Sequence, residues 1–334
     1  MDKRGIRYLS KIVCSFVLSL TVLLSQPAAA QSITLPSPAA GSFISTFDYI
    51  NNGRLVAFDG FTVSVQQSIG STTLVPIGTL PPSFLGGTDP AFIRTSPNGQ
   101  FFVLGGGAGG SKFPDPAFNG SIFTMPAAGG QATLIGLFSF SIFATFRHPG
   151  EFFFGQGETF GTFTGSVELL NLSTGTTQHV IGPIPGDPGG IAFDHAGDLF
   201  VGLGAGQDTA RTGEIREFSR QLVDNAIQTG TSLAFDSGVL IIQILNAGDL
   251  RFDSTGDLFV GGANFNGRPT GFFAEVNVAT GQVINQFNPV GLSGVFYELA
   301  FTPVMCKLGA VDVDSFFTGR SPTVFEFMVC SGGP

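Results

Sequence analysis

Gly190-Ile191-Ala192-Phe193-Asp194-His195-Ala196-Gly197-Asp198-Leu199-Phe200-Val201-Gly202 reads as an apolar strand, a polar turn and an apolar return. Gly197 supplies the positive φ that a tight turn requires, so the stretch has the make-up of a β-hairpin. The same order recurs at Leu250-Arg251-Phe252-Asp253-Ser254-Thr255-Gly256-Asp257-Leu258-Phe259-Val260-Gly261, with an identical Gly-Asp-Leu-Phe-Val-Gly core. Looser copies occupy residues 43–58, 92–104 and 142–155. The turn glycines Gly53, Gly99, Gly150, Gly197 and Gly256 lie 46, 51, 47 and 59 residues apart, close to the period of propeller blades.

A second signature follows each hairpin: a glycine opening an alternating strand, at Gly60, Gly120, Gly165, Gly213 and Gly271. Alternation buries one face and wets the other. Several copies then turn at Ala128-Gly129-Gly130, Thr174-Gly175 or Thr280-Gly281 into a fourth strand. Four strands per repeat, the inner pair apolar on both faces, predict an all-β protein, a β-propeller of four-stranded blades. A sandwich rarely repeats one hairpin this often, and a β-helix coil is about half this period or less.

Five repeats are clear and a sixth begins at residues 294–303, so six blades are expected, with five as the alternative. Residues 31–303 make the propeller. Residues 304–334 lack the repeat's glycine positions and form an irregular C-terminal segment, either closing the last blade or trailing from it. Residues 32–35 read as a lone strand able to join the last blade before Pro36-Ser37-Pro38 breaks the chain. No amphipathic helical run stands out. Longer excursions from the repeat fall at residues 105–119, 203–212 and 221–246, the last with a strand-like 239–245. Phenylalanines 138–146 and 152–154 are expected between blades, each worth about 2–3 kcal/mol on full burial.

Residues 1–30 have the form of a secretory signal peptide: a basic start at Lys3, Arg4, Arg7 and Lys11, an apolar run, and Ala28-Ala29-Ala30 for cleavage. The expected location is secreted or periplasmic. Those 30 residues hold four of fifteen Lys and Arg and one of twenty-four Asp and Glu, leaving eleven basic against twenty-three acidic residues. Such acidity argues against nucleic acid as a partner. No stretch reaches the ~18 apolar residues of a membrane span. Cys306 and Cys330 are the cysteines left after cleavage and can pair as a disulfide in an oxidising compartment.

At Phe193 to Gly202 and Phe252 to Gly261 the sequence resembles the NHL-repeat and gluconolactonase-like (regucalcin-like) β-propellers of exported bacterial type. The resemblance covers most of residues 43–303 and is to a blade pattern. It implies a fold that hosts lactonases, lyases and pure binding scaffolds. A lactonase-like enzyme of this kind would hold a divalent cation, such as Ca²⁺, with Asp, Glu and Asn side chains at one channel mouth. Asp89, Asp187, Asp249 and Glu298, near the starts of inner strands, are the residues that could converge there.

Asp194, Asp198, Asp253 and Asp257 flank turn glycines and offer oxygen ligands for Ca²⁺. The looser copies carry Ser96, Arg147, Gln100, Glu151 and Arg54 instead, so turn capping is the expected role. His148, His179 and His195 form no spaced cluster and read as surface turn residues. The glycine-rich 104–110 lacks the Lys and Ser/Thr of a phosphate loop and reads as a flexible blade loop. No nucleophile elbow is present. The leading expectation is an exported, monomeric, non-enzymatic propeller that binds or scaffolds a protein, glycan or small molecule without a cofactor. The alternative is a metal-dependent lactonase-like hydrolase.

Overall fold

The structure, a computed structural model, describes residues 31–36, 46–84, 91–107, 120–138, 143–157, 165–186, 188–203, 213–244, 247–264, 270–287, 297–303, 307–312 and 321–329. Six antiparallel sheets stand in a ring as the blades of a β-propeller. Strand β1 (Gln31–Thr34) comes first but belongs to the last blade. Blade 1 comprises β2 (Thr46–Tyr49), β3 (Leu55–Phe58), β4 (Thr62–Gln66) and β5 (Leu74–Thr79). Blade 2 comprises β6 (Ala91–Thr95), β7 (Phe101–Gly107) and β8 (Gly120–Pro126), then β10 (Thr133–Phe138), while the short β9 (Gly130–Gln131) joins the edge of blade 1.

Blade 3 is β11 (Ala144–His148), β12 (Glu151–Gly157), β13 (Gly165–Asn171) and β14 (Thr177–Ile184). Blade 4 is β15 (Pro188–Phe193), β16 (Leu199–Leu203), β17 (Glu214–Phe218) and β18 (Val239–Gln243). Blade 5 is β19 (Ala247–Phe252), β20 (Leu258–Asn264), β21 (Thr270–Asn277) and β22 (Gln282–Phe287). Blade 6 is β23 (Tyr297–Phe301), β24 (Lys307–Asp312) and β25 (Thr323–Met328), completed by β1 from the other end of the chain. Ile33 pairs with Val324 across that seam, and Ile33, Phe47, Tyr49 and Val311 share one core cluster there. The ring therefore closes by main-chain hydrogen bonds and apolar packing together.

Outer strands of a propeller are edges, and an open edge invites pairing with another chain. In blades 2, 3 and 5 the outer turn covers the outer strand of the blade before it. A Cβ on Gly129, Gly175 or Gly281 would lie 2.3, 3.0 or 2.3 Å from the carbonyl oxygen of Ile77, Ile135 or Ile241 respectively, so glycine lets each turn press against its neighbour's backbone. Blade 4 has no such turn, because helix α1 (Arg220–Thr229) lies between β17 and β18. Leu233 takes over, donating to Val180 O and accepting from Gly182 N, each at 2.9 Å.

This helix corrects the reading of residues 221–246 as an excursion with one strand. Ser219 caps its start, with its side chain accepting from Leu222 N, and Gly230 ends it in the left-handed conformation at φ 68°. Its buried residues are Val223 and Ala226, too short an apolar stripe to show as a period. Residues 239–243 are the ordinary fourth strand of blade 4. The described part of the glycine-rich stretch, through Gly107, is likewise strand β7 rather than loop. Phe152, Phe153 and Phe154 are fully buried, and Phe92, Phe138, Phe146 and Phe193 meet them from this blade and both neighbours, as the blade pattern predicts. Among the described residues no helix is long and apolar enough to cross a membrane.

Candidate functional site

The first strand of each blade is innermost, and these strands neighbour one another around the axis. Turns set a common register for five of them. Ile50, Ser96, Asp194, Asp253 and Thr302 each donate their backbone N–H across the turn to the returning strand. Two residues before these positions stand Asp48, Arg94, Ala192, Arg251 and Ala300, and four before stand Thr46, Phe92, Gly190, Asp249 and Glu298. Charge is thus gathered at two adjacent levels on blades 1, 2, 5 and 6.

Arg94 is the hub. Its Nε donates to Ala144 O of blade 3 at 2.7 Å, and its Nη1 donates to Ile93 O at 2.7 Å and to Glu298 Oε1 of blade 6 at 2.8 Å. Its Nη2 stands 4.0 Å from Asp249 Oδ1 of blade 5 and makes no hydrogen bond among the described residues. Thr46 Oγ1 also donates to Glu298 Oε1, at 2.5 Å, across the closing seam. Asp249 Oδ1 accepts from Leu250 N at 2.9 Å and is ion-paired with Arg251 Nη1 at 2.9 Å, while its Oδ2 accepts from Leu299 N at 2.8 Å. Asp48 accepts from Tyr49 N at 2.8 Å and from Thr95 N of blade 2 at 2.6 Å. Each of these acids ties its own blade to the next one.

Burial pushes the carboxyls of Asp48 and Glu298 above the ordinary range, with Arg94 pulling both back down in part. Burial opposes the charge of Arg94, yet Glu298, Asp249 and Asp48 outweigh it and hold the guanidinium charged. Arg251 is lowered by burial and by Arg94 beside it.

Of the residues expected to converge at the channel, Asp249 and Glu298 do meet in one cluster, while Asp89 and Asp187 lie outside the described residues. That cluster does not fit a divalent cation. Both oxygens of Asp249 already accept hydrogen bonds, and two guanidiniums stand where a metal would need further carboxylates. Among the described residues no three of His, Cys, Asp and Glu form a group able to hold a metal. Asp48, Arg94 and Arg251 escaped the sequence reading; their shared distance from the turns is the signal that would have found them.

The turn acids do turn work. Asp253 Oδ1 accepts the amides of Thr255, Gly256 and Asp257 at 2.8, 2.9 and 3.0 Å, and Asp194 Oδ1 that of Asp198 at 2.8 Å. Asp198 Oδ1 in turn accepts from Arg220 N at 2.6 Å, placing a carboxylate at the start of α1. His195 is exposed on its turn, and His148 is exposed at the end of β11, where its turn begins. His179 is not a turn residue: it lies in β14, with Nδ1 2.7 Å from Glu168 Oε1, which also accepts from Ser166 Oγ at 2.8 Å. This pair sits on the outer strands, away from the axis. Residues 1–30, Cys306 and Cys330 lie outside the described residues.

No protein-family model matches the chain, and no curated protein matches it. Solved structures match by shape. A protein of unknown function from Dyadobacter fermentans aligns over 92% of this chain and 100% of its own, with a TM-score of 0.63 at 7% identity. A chain of the mitotic checkpoint complex aligns over 91% and 93%, with a TM-score of 0.52 at 10% identity. An oligogalacturonate lyase in complex with manganese aligns over 85% and 76%, with a TM-score of 0.51 at 10% identity. At such identities these likenesses establish the propeller and nothing finer.

Proposed function

We propose that this is an exported, non-enzymatic propeller that binds or scaffolds a partner through its outer surfaces. One observation carries the reading: the axial acids, the groups a lactonase-like propeller would turn on a metal and substrate, are engaged in ties between blades. Asp48, Asp249 and Glu298 hold Thr95, Leu299 and Thr46 of adjoining blades, and Arg94 spans what would be the channel. Binding then falls to the turns, to the connections between blades and to α1, the described segment that departs most from the repeat. The amino-terminal pattern supports export.

The test is a calorimetric titration of the protein that begins at Gln31 with Ca²⁺ and with Mn²⁺, alongside an assay of lactone hydrolysis. Neither saturable heat nor hydrolysis above that of the heat-unfolded protein is expected. Metal-dependent, saturable turnover abolished by Asp249→Asn would overturn the reading in favour of the hydrolase. Export is checked separately by the mass of the protein recovered outside the cytoplasm, expected to start at Gln31.

A further inference from the structure

We propose that residues 329–333 form the covering turn of blade 6 and seat on Ile284, closing the outer edge of blade 5. Each outer strand of blades 1 to 5 carries one extra residue at the same place: its pairing with the third strand skips Ile77, Ile135, Val180, Ile241 and Ile284 in turn. A bulge of this kind leaves its residue out of the ladder. In four of these blades the next blade seats a segment on that residue's carbonyl: Gly129 on Ile77, Gly175 on Ile135, Leu233 on Val180 and Gly281 on Ile241. Every one of these segments joins the third strand of its own blade to the fourth.

Ile284 is the fifth bulge residue. It is 47% exposed, whereas Ile77, Ile135 and Ile241 are partly buried and Val180 is fully buried. Every residue of β22 from Gln282 to Gln286 is exposed, an uncharged edge open to strand addition by another chain. Its cover belongs to the third-to-fourth connection of blade 6. That connection is divided between the two ends of the sequence, because β1 supplies the fourth strand, and residues 330–334 lie outside the described residues.

The sequence after β25 identifies the occupant. Leu172-Ser173-Thr174-Gly175 follows β13, Val278-Ala279-Thr280-Gly281 follows β21, and Val329-Cys330-Ser331-Gly332 follows β25. The order is the same in all three: an aliphatic residue, a small one, a hydroxyl-bearing one, then glycine. Packing starts the path. Leu172 and Val278 each lie on the core cluster shared with the blade before, the same clusters that take Ile135 and Ile241. Val329 lies likewise on the cluster of Phe259 and Phe273 from blade 5 with Leu308 and Phe327 from blade 6, so the chain already rests against blade 5 as it leaves β25. Neither β22 nor residues 329–334 hold a charged side chain, and seating one on the other desolvates none.

In blade 3, Gly182 N, two residues after the bulge, donates to Leu233 O of its cover. Gln286 N holds that place in blade 5 and is the amide to follow by hydrogen exchange in the wild type, in Gly332→Val and in a variant lacking residues 330–334. Valine at Gly332 meets the two obstacles present at Gly281, a φ of 65° and a neighbouring carbonyl 2.3 Å from any Cβ. Slow exchange at Gln286 in the wild type, accelerated about tenfold or more in both variants while blades 1 to 4 keep their protection, is the expected result. Exchange at the free-peptide rate in the wild type, or the same rate in all three proteins, would overturn the proposal. Protection that survives both changes and follows a monomer–dimer equilibrium in sedimentation assigns the edge to a second copy, which also overturns it. If neither variant folds, nuclear Overhauser contacts between Gly332 and Ile284 in the wild type decide: their presence supports the seating and their absence sinks it.

Discussion

Arg94 Nη2 on blade 2 lies 4.0 Å from Asp249 Oδ1 on blade 5, the blade opposite in a ring of six, so one side chain spans the propeller axis. The same guanidinium touches blades 3 and 6. Arg94→Met removes every one of these contacts and leaves Asp48, Asp249 and Glu298 facing one another with a single guanidinium. Removing one partner of a buried ionic group costs about 3–5 kcal/mol, and urea unfolding of the variant should show a loss of that order. A loss under about 1 kcal/mol would mean that the cluster is not what joins the blades at the axis.

The seam between the chain ends makes a separate prediction. Ile33 is fully buried in the closing strand opposite Val324, and Tyr49 Oη reaches across to Glu326 Oε1 at 2.7 Å. Lys307 Nζ meets the other oxygen of Glu326 at 2.7 Å. Ile33→Ala should cost about 2–5 kcal/mol, as for other buried aliphatic truncations, and should speed amide exchange first in β25. If instead β25 stays protected until global unfolding, β1 is not a separable latch.

Much of this architecture is legible in the sequence, because the turn and the return strand of each blade are local features. Asp194, Gly197 and Leu199 declare a hairpin without help from the rest of the chain. The axial arginine is not local. Arg94 acquires meaning only when Ala144, Asp249 and Glu298 arrive from three other blades, and a single arginine in an apolar strand carries no period of its own. The start of blade 6 was visible and its second and third strands were not, since Thr302 N closes its turn on Lys307 O without the glycine that marks the other copies. Helix α1 was hidden for a different reason: two buried side chains and a pair of caps fix it, and the strap that follows docks through main-chain bonds of Leu233 that no side-chain pattern reports.

The turn glycines are not equivalent, which a pair of substitutions can expose. Gly197 sits at φ 87° and a Cβ there would come within 3.2 Å of Arg220 Cδ, whereas Gly150 has no positive φ and open space around it. Gly197→Val should destabilise by more than about 1 kcal/mol, while Gly150→Ala should be neutral or stabilising by about 0.4–1 kcal/mol through the unfolded chain. Equal losses at both sites in denaturant melts would show that the two hairpins share one turn geometry after all.

Helix α1 is fastened to blade 3 by charge, and the fastening depends on pH. Asp224 on the helix is hydrogen-bonded by Arg147 at the end of β11, and Arg147 also lies over the ring of Phe193, 5.7 Å from its centre. The hydrogen bond from Arg147, with the charges of Arg147 and Arg220, holds the Asp224 carboxyl below its ordinary 3.8. A lowered acid stabilises the folded arrangement above its unfolded value and stops doing so as pH falls through the folded value, so the helix should stay docked at neutral pH and loosen only in strong acid. Asp224 is about half exposed, with 47% of its side chain accessible, so solvent screens the pair and its effect on global stability should be small. Carboxyl carbon shifts followed by NMR should place the Asp224 midpoint below 3.8 in the wild type and return it toward that value in Arg147→Met. The same midpoint in both proteins would show that Arg147 does not hold this carboxylate in solution, and that Gln178, whose Nε2 donates to the carbonyls of Ala226 and Ile227 at 3.1 and 3.0 Å, anchors the helix instead.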